Sequence, residues 1–164
     1  MRKIRLLTIL LLLFSGCVEK QQNQAFFCPQ EDCEERVIIA INNAETSIDA
    51  AIYSFTSEEI ASSLTSANNN GIRVRVITDY LQSASKSSQD ENLTEKGINL
   101  RVTPKGNTMH NKFMIIDNEL VVTGSYNWTK NANTSNFENI VFIFDQKLAE
   151  KYEKEFFELW VKAN

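Results

Sequence analysis

The 164-residue chain contains a single histidine, His110. That count excludes a metal centre built from several imidazoles. Three cysteines are too few for a four-cysteine zinc site. Two prolines and five glycines rule out a repetitive or linker-like chain, and with 43% hydrophobic residues the composition is that of one globular domain. No apolar run is long enough to span a bilayer: "LLTILLLLF" falls well short of the roughly 20 residues required. Positive charge is also scarce, with 17 Lys and Arg against 21 Asp and Glu and a net charge of -4. Overall charge therefore gives no attraction for nucleic acid, and any polyanion site must be local.

What is present begins with "MRKIR", a basic start followed by the short apolar run and then by "SGC". This is the pattern of a signal peptide over residues 1–16. "FSGC" resembles a bacterial lipobox, although Phe14 stands where Leu is usual. The resemblance implies cleavage before Cys17, lipid on that cysteine, and export to the cell envelope with the lipid holding the protein to a membrane. Loss of Arg2, Lys3 and Arg5 with the leader leaves 14 basic residues against 21 acidic. Cys28 and Cys33 then remain as an even pair in an oxidising compartment, which reads as a short disulfide loop. Residues 17–25 read as a polar tether and 26–164 as the folded domain.

Helical and strand patterns alternate along that domain. "EERVIIAINNAE" has one apolar helical face, and "SIDAAIYSF" reads as a mostly buried strand. Thr56 with Glu59 three residues on forms a capping box that opens a helix closed by Gly71. "IRVRVIT" alternates, with Arg73 and Arg75 read as a solvated strand face. A serine-rich stretch holds a weaker helix ending at Gly97, followed by the strand "INLRV". "KFMIID" and "ELVVTGS" flank Asn118 as a hairpin, and "ENIVFIFD" is a further strand. A final amphipathic helix carries Leu148, Tyr152, Phe156, Leu159 and Trp160 on one face. The expected fold class is α/β, a mixed sheet flanked by helices.

The chemistry concentrates in "MHNKFMIIDNELVVTGSYNWT", which holds the solitary histidine. His110 and Lys112 are two apart and share a direction on a strand, as do Ser125 and Asn127 beyond the second run. A hairpin would bring imidazole, ammonium, hydroxyl and carboxamide together. That set contains a nucleophile or base, a cation and two neutral donors, which suits a tetrahedral anion such as phosphate.

His110-x-Lys112, four residues, Asp117, six residues, Gly124-Ser125-x-Asn127 resembles without a gap the HKD signature of the phospholipase D superfamily. With six fixed identities at about one in twenty each, a chance match is on the order of one in a few hundred thousand. The surrounding chain is similar to the superfamily's short, single-motif bacterial secreted endonucleases. The resemblance implies a phospholipase D/nuclease-like fold with one HKD motif per chain, and His110 as the nucleophile that forms a phosphohistidine. It implies that Lys112 and Asn127 hold non-bridging oxygens, with Ser125 assisting, and that Asp117 supports the motif's geometry. Glu138, in "NFENIV", matches an acidic residue that hydrogen-bonds the histidine. Lys105 and Lys130 flank the motif as candidate phosphate contacts. No cofactor or metal is implied. Nucleic acid is the favoured substrate, with a phospholipid headgroup or a non-catalytic phosphate-binding role as alternatives. One motif per chain implies a homodimer whose two copies of His110 complete a single composite site.

Overall fold

The computed structural model describes residues 21–164. The signal-peptide reading and Cys17 lie outside the described residues. Seven strands form one sheet: β1 (Gln24–Cys28), β2 (Ser47–Ile52), β3 (Arg73–Thr78), β4 (Asn99–Val102), β5 (Lys112–Ile116), β6 (Leu120–Gly124) and β7 (Glu138–Phe144). Six helices accompany them: α1 (Cys33–Asn42), α2 (Glu58–Asn69), α3 (Tyr80–Ser83), α4 (Asp90–Glu95), α5 (Lys130–Thr134) and α6 (Gln146–Lys162). The strand order is β1-β7-β6-β5-β2-β3-β4. β2, β3 and β4 run parallel, whereas β5, β6, β7 and β1 pair antiparallel.

Alternation along the strands separates two cores. Ile48, Ala50, Ile52, Val74, Val76, Met114 and Val122 lie in the larger one, with the buried sides of α1 and α2. Ala51, Ile77, Phe113, Ile115 and Val121 form the other, covered by α6 through Phe156, Leu148, Tyr152, Leu159 and Trp160. The apolar stripe read from the sequence of α6 is thus the stripe that packs. In the β5–β6 hairpin both turn residues, Asp117 and Asn118, have positive φ, at 53° and 54°. A type I′ turn demands that conformation, and Asp and Asn tolerate it better than most residues.

Several expectations need correction. Ser57, not Thr56, caps α2, its hydroxyl accepting from the Ile60 amide at 3.0 Å. The single weak helix before Gly97 is two short ones, α3 and α4. The polar tether gives way to strand at Gln24 rather than at Phe26, because β1 pairs with β7. Cys28 at the end of β1 and Cys33 at the start of α1 are joined by a disulfide, with Cα atoms 5.7 Å apart.

Arg75 is not part of a solvated face, and Arg73, although exposed, turns its guanidinium to the same buried carboxylate, that of Asp49. Arg75 grips the fully buried carboxylate of Asp49 through Nε at 2.6 Å and Nη2 at 2.7 Å, and Arg73 adds a third bond at 2.9 Å. The register explains it, since Asp49 on β2 lies beside Arg75 on β3. The guanidinium of Arg75 also stacks over Phe156 and Trp160 of α6. A buried charge of this kind persists only when it is paired and hydrogen-bonded.

Candidate functional site

The antiparallel half of the sheet meets the parallel half between β5 and β2. The carboxyl ends of β2 and β3 therefore lie at the same edge as the start of β5, the end of β6 and the start of β7. In open α/β sheets ligands bind outside the carboxyl ends of the parallel strands, which here is that edge. His110, Lys112, Ser125, Asn127 and Glu138 all come from segments that end or begin there.

His110 is exposed and precedes β5, so the sheet ladder does not hold it. Its imidazole packs against the ring of Tyr53, with centroids 4.4 Å apart. Lys112 opens β5, and its ammonium donates to the His110 carbonyl at 2.8 Å while lying 4.9 Å from the centre of the same ring. Partial burial pulls the Lys112 ammonium below the ordinary lysine range, and the negative charge of Glu138 opposes that shift. The lysine is therefore a partly buried cation whose incomplete hydration favours an anionic partner, although the Glu138 charge works against a second anion.

Ser125 follows Gly124, the last residue of β6. A Cβ on Gly124 would sit 2.2 Å from the Asn139 carbonyl oxygen of β7, so only glycine permits this approach. The tight crossing ties Ser125 into β7: its amide donates to the Asn139 side chain at 2.9 Å, and its hydroxyl donates to Glu138. Glu138 also accepts from Asn136 at 3.1 Å. The expected bond from Glu138 to His110 is not formed among the described residues. The carboxylate reaches Ser125 instead, because both sit on the β6–β7 crossing.

Asn127 lies in a loop stitched to the segment after β2, where the Thr56 and Ser57 amides donate to the Trp128 carbonyl at 2.8 and 3.0 Å. Its carboxamide oxygen is buried with no hydrogen-bond partner among the described residues. A buried orphan acceptor is uncommon, and here it belongs to a motif residue. Lys105, on the loop leading to His110, and Lys130, at the start of α5, are exposed.

Asp117 is not in this group. It sits in the hairpin turn at the far end of β5, about 17 Å along the strand from Lys112. Its carboxylate accepts from the amides of Glu45, Thr46 and Ser47 at 2.7 to 2.9 Å and from the Thr46 hydroxyl at 2.8 Å. Burial alone would push this carboxyl up, but those donors outweigh it and hold the group below the ordinary aspartate range. Asp117 clasps the chain entering β2.

Two residues of this edge escape a reading of the motif, Tyr53 and Asp79. The buried Asp79 carboxylate caps α3 and accepts from the Met109 amide at 3.0 Å. An Asp directly after an apolar strand and before a helix is a recognisable cap, but its reach to Met109 is visible only in three dimensions.

The family described as "Cardiolipin synthase, PLD-like domain" matches residues 37–160. The chain is 33% identical over 138 residues to a phospholipase D of Rickettsia prowazekii, covering 84% of this chain and 67% of that one. It is 31% identical over 141 residues to a mitochondrial cardiolipin hydrolase of Chlamydomonas reinhardtii, covering 81% of this chain but 63% of that protein. The chain spans less than two thirds of the length of that relative. Among solved structures, Nuc from Salmonella typhimurium, a phospholipase D family member, superposes with a TM-score of 0.83 at 33% identity, over 87% of this chain and 96% of that one. The HKD pattern, the sheet edge that gathers most of it and these matches agree: the chain belongs to the phospholipase D superfamily.

Proposed function

We propose that the domain is a phosphodiesterase that cleaves nucleic acid as an endonuclease without strong sequence preference, through a covalent phosphohistidine on His110. The observation that carries this reading is the gathering of His110, Lys112, Ser125, Asn127 and Glu138 at one exposed sheet edge. A ring nitrogen of His110 attacks phosphorus, and the bond to the leaving oxygen breaks with its electron pair. Water then attacks the phosphohistidine and releases the imidazole. Lys112 supplies the positive charge and the Asn127 carboxamide N–H the neutral donor for the non-bridging oxygens, where negative charge accumulates, and Ser125 assists once its hydroxyl turns from Glu138. Glu138 holds Ser125 in place. The exposed Lys105 and Lys130 extend positive charge to either side, where further phosphates of a polymer would lie.

The leaving oxygen needs a proton, and His110 is the only imidazole in the chain. A homodimer in which two copies of this edge face each other would supply the second histidine and a single composite site. In exchangeable mixtures of wild-type and His110→Ala subunits, the heterodimer should be strongly impaired. Full activity in a strictly monomeric protein would refute the composite site.

Hydrolysis of phospholipid headgroups is the second reading, favoured by relatives named for cardiolipin hydrolysis and phospholipase D. A lipid on Cys17 would keep such an enzyme at its substrate. Plasmid nicking and headgroup release from cardiolipin vesicles, measured side by side in excess chelator, separate the readings. Nicking without headgroup release supports the endonuclease, the reverse supports the lipid hydrolase, and phosphate binding with neither leaves a non-catalytic module.

A further inference from the structure

We infer that Tyr53 is a positioning residue for His110 and Lys112, fixing the imidazole and the ammonium through one shared aromatic ring. This rests on the reading that His110 attacks phosphorus. The contacts themselves are independent of it.

His110 has little else to hold it. It lies outside the β5 ladder, it is exposed, and among the described residues its imidazole makes no hydrogen bond. A nucleophile must nevertheless meet phosphorus along a narrow line of approach, and loss of about 1 Å in placement can cost on the order of 100-fold in rate. The Tyr53 ring, with its centroid 4.4 Å away and its plane tilted by 59°, gives the imidazole a packing surface that excludes the space the ring itself occupies. The same ring lies 4.9 Å from the Lys112 ammonium. One aromatic ring therefore lies within cation–π range of a standing cation and packs beside the ring on which positive charge develops as nitrogen bonds phosphorus.

Tyr53 is itself held at both ends. Its amide donates to the Asn111 carbonyl at 2.8 Å, and its hydroxyl accepts from the Gln82 side chain at 3.1 Å. Gln82 lies on α3, whose first amides are capped by one oxygen of Asp79. The other oxygen of Asp79 takes the amide of Met109, the residue before His110. The contacts run from Tyr53 through Gln82, Asp79 and Met109 to His110 and back to Tyr53. A closed circuit of this kind restrains an exposed side chain that no secondary structure restrains.

The solitary histidine makes the idea directly measurable. In untagged full-length protein the proton on the ring carbon between the two imidazole nitrogens gives one proton resonance, displaced by the ring current of Tyr53. In Tyr53→Leu that resonance should move to the position of an unstacked histidine. kcat should fall roughly 10–100-fold while KM stays within about two-fold. Tyr53→Phe keeps the ring and should keep both the displacement and most of kcat. Gln82→Ala, which deletes the same hydrogen bond as Tyr53→Phe, should likewise keep most of the displacement and of kcat. An unchanged resonance in Tyr53→Leu, or a change in KM alone, overturns the inference. So does an equal loss of kcat in Tyr53→Phe and Tyr53→Leu. Should wild-type protein cleave neither DNA nor phospholipid, the phosphodiesterase reading fails, and the resonance still decides whether Tyr53 orders His110.

Discussion

One five-residue strand joins two ends that behave in opposite ways. At the start of β5, Lys112 is a partly buried cation, and among the described residues the His110 ring makes no hydrogen bond and the nearby Asn127 carries an orphan acceptor. At the other end, every role of the Asp117 carboxylate is filled by donors of its own chain. Both ends belong to one sequence pattern. One motif thus divides between an end that leaves polar groups open for a ligand and an end whose polar groups are spent on holding the chain.

The largest effect that would test this division is at His110. His110→Ala should abolish turnover while unfolding free energy, measured by urea melts, changes by less than about 1 kcal/mol, since only an exposed aromatic contact is lost. Lys112→Ala should cost about 3 kcal/mol in the activation barrier, comparable to removing an oxyanion donor, again with little change in stability. Near-normal kcat in that variant would break the comparison at its reactive end.

At the hairpin end the signs reverse. Asp117→Ala leaves the amides of Glu45, Thr46 and Ser47 without their acceptor and should lower stability by about 1–3 kcal/mol, while kcat per folded molecule holds. Because the folded-state carboxyl is held below its ordinary range, the wild type should lose this contribution as pH falls below about 4, and the variant should not show that loss. A large drop in kcat without a drop in stability would put Asp117 among the reacting groups instead.

The smallest effect lies between the ends, beside Asp49. Burial and then the Asp49 charge push the Glu153 carboxyl of α6 up to about 7. Between about 4.3 and about 7 the folded protein thus keeps a proton that the unfolded chain has released, so stability should decline as pH rises through that window. Glu153→Gln should flatten the decline in thermal melts at several pH values. An unchanged slope would show that another group is responsible.

Local patterns in the sequence decided much of this architecture. The β5–β6 hairpin was legible because Asp117-Asn118 suits a positive-φ turn between two apolar runs, and α6 because its stripe has helical spacing over seventeen residues. The motif residues were legible through fixed spacing. β1 was not, since its strand character comes from β7, more than one hundred residues away. The pairing of Arg73 and Arg75 was hidden for a related reason: the carboxylate they hold is on another strand, and an alternating Arg pattern looks the same whether it faces water or a buried Asp49. The Glu138–Ser125 bond depends on Gly124 letting two strands cross closely, a distance that no spacing rule encodes.

The direction of β1 has a consequence for how the domain can be held. Cys28 pairs opposite Glu138 and Gln24 opposite Phe142, so the chain arrives beside the Asp117 turn and travels toward the reactive edge. Gln24 therefore lies at the pole away from His110, more than 10 Å along the sheet. A tether attached at that pole would grip the molecule by its closed, hydrogen-bonded end and would leave the edge that carries His110 on the side facing away from whatever holds the tether.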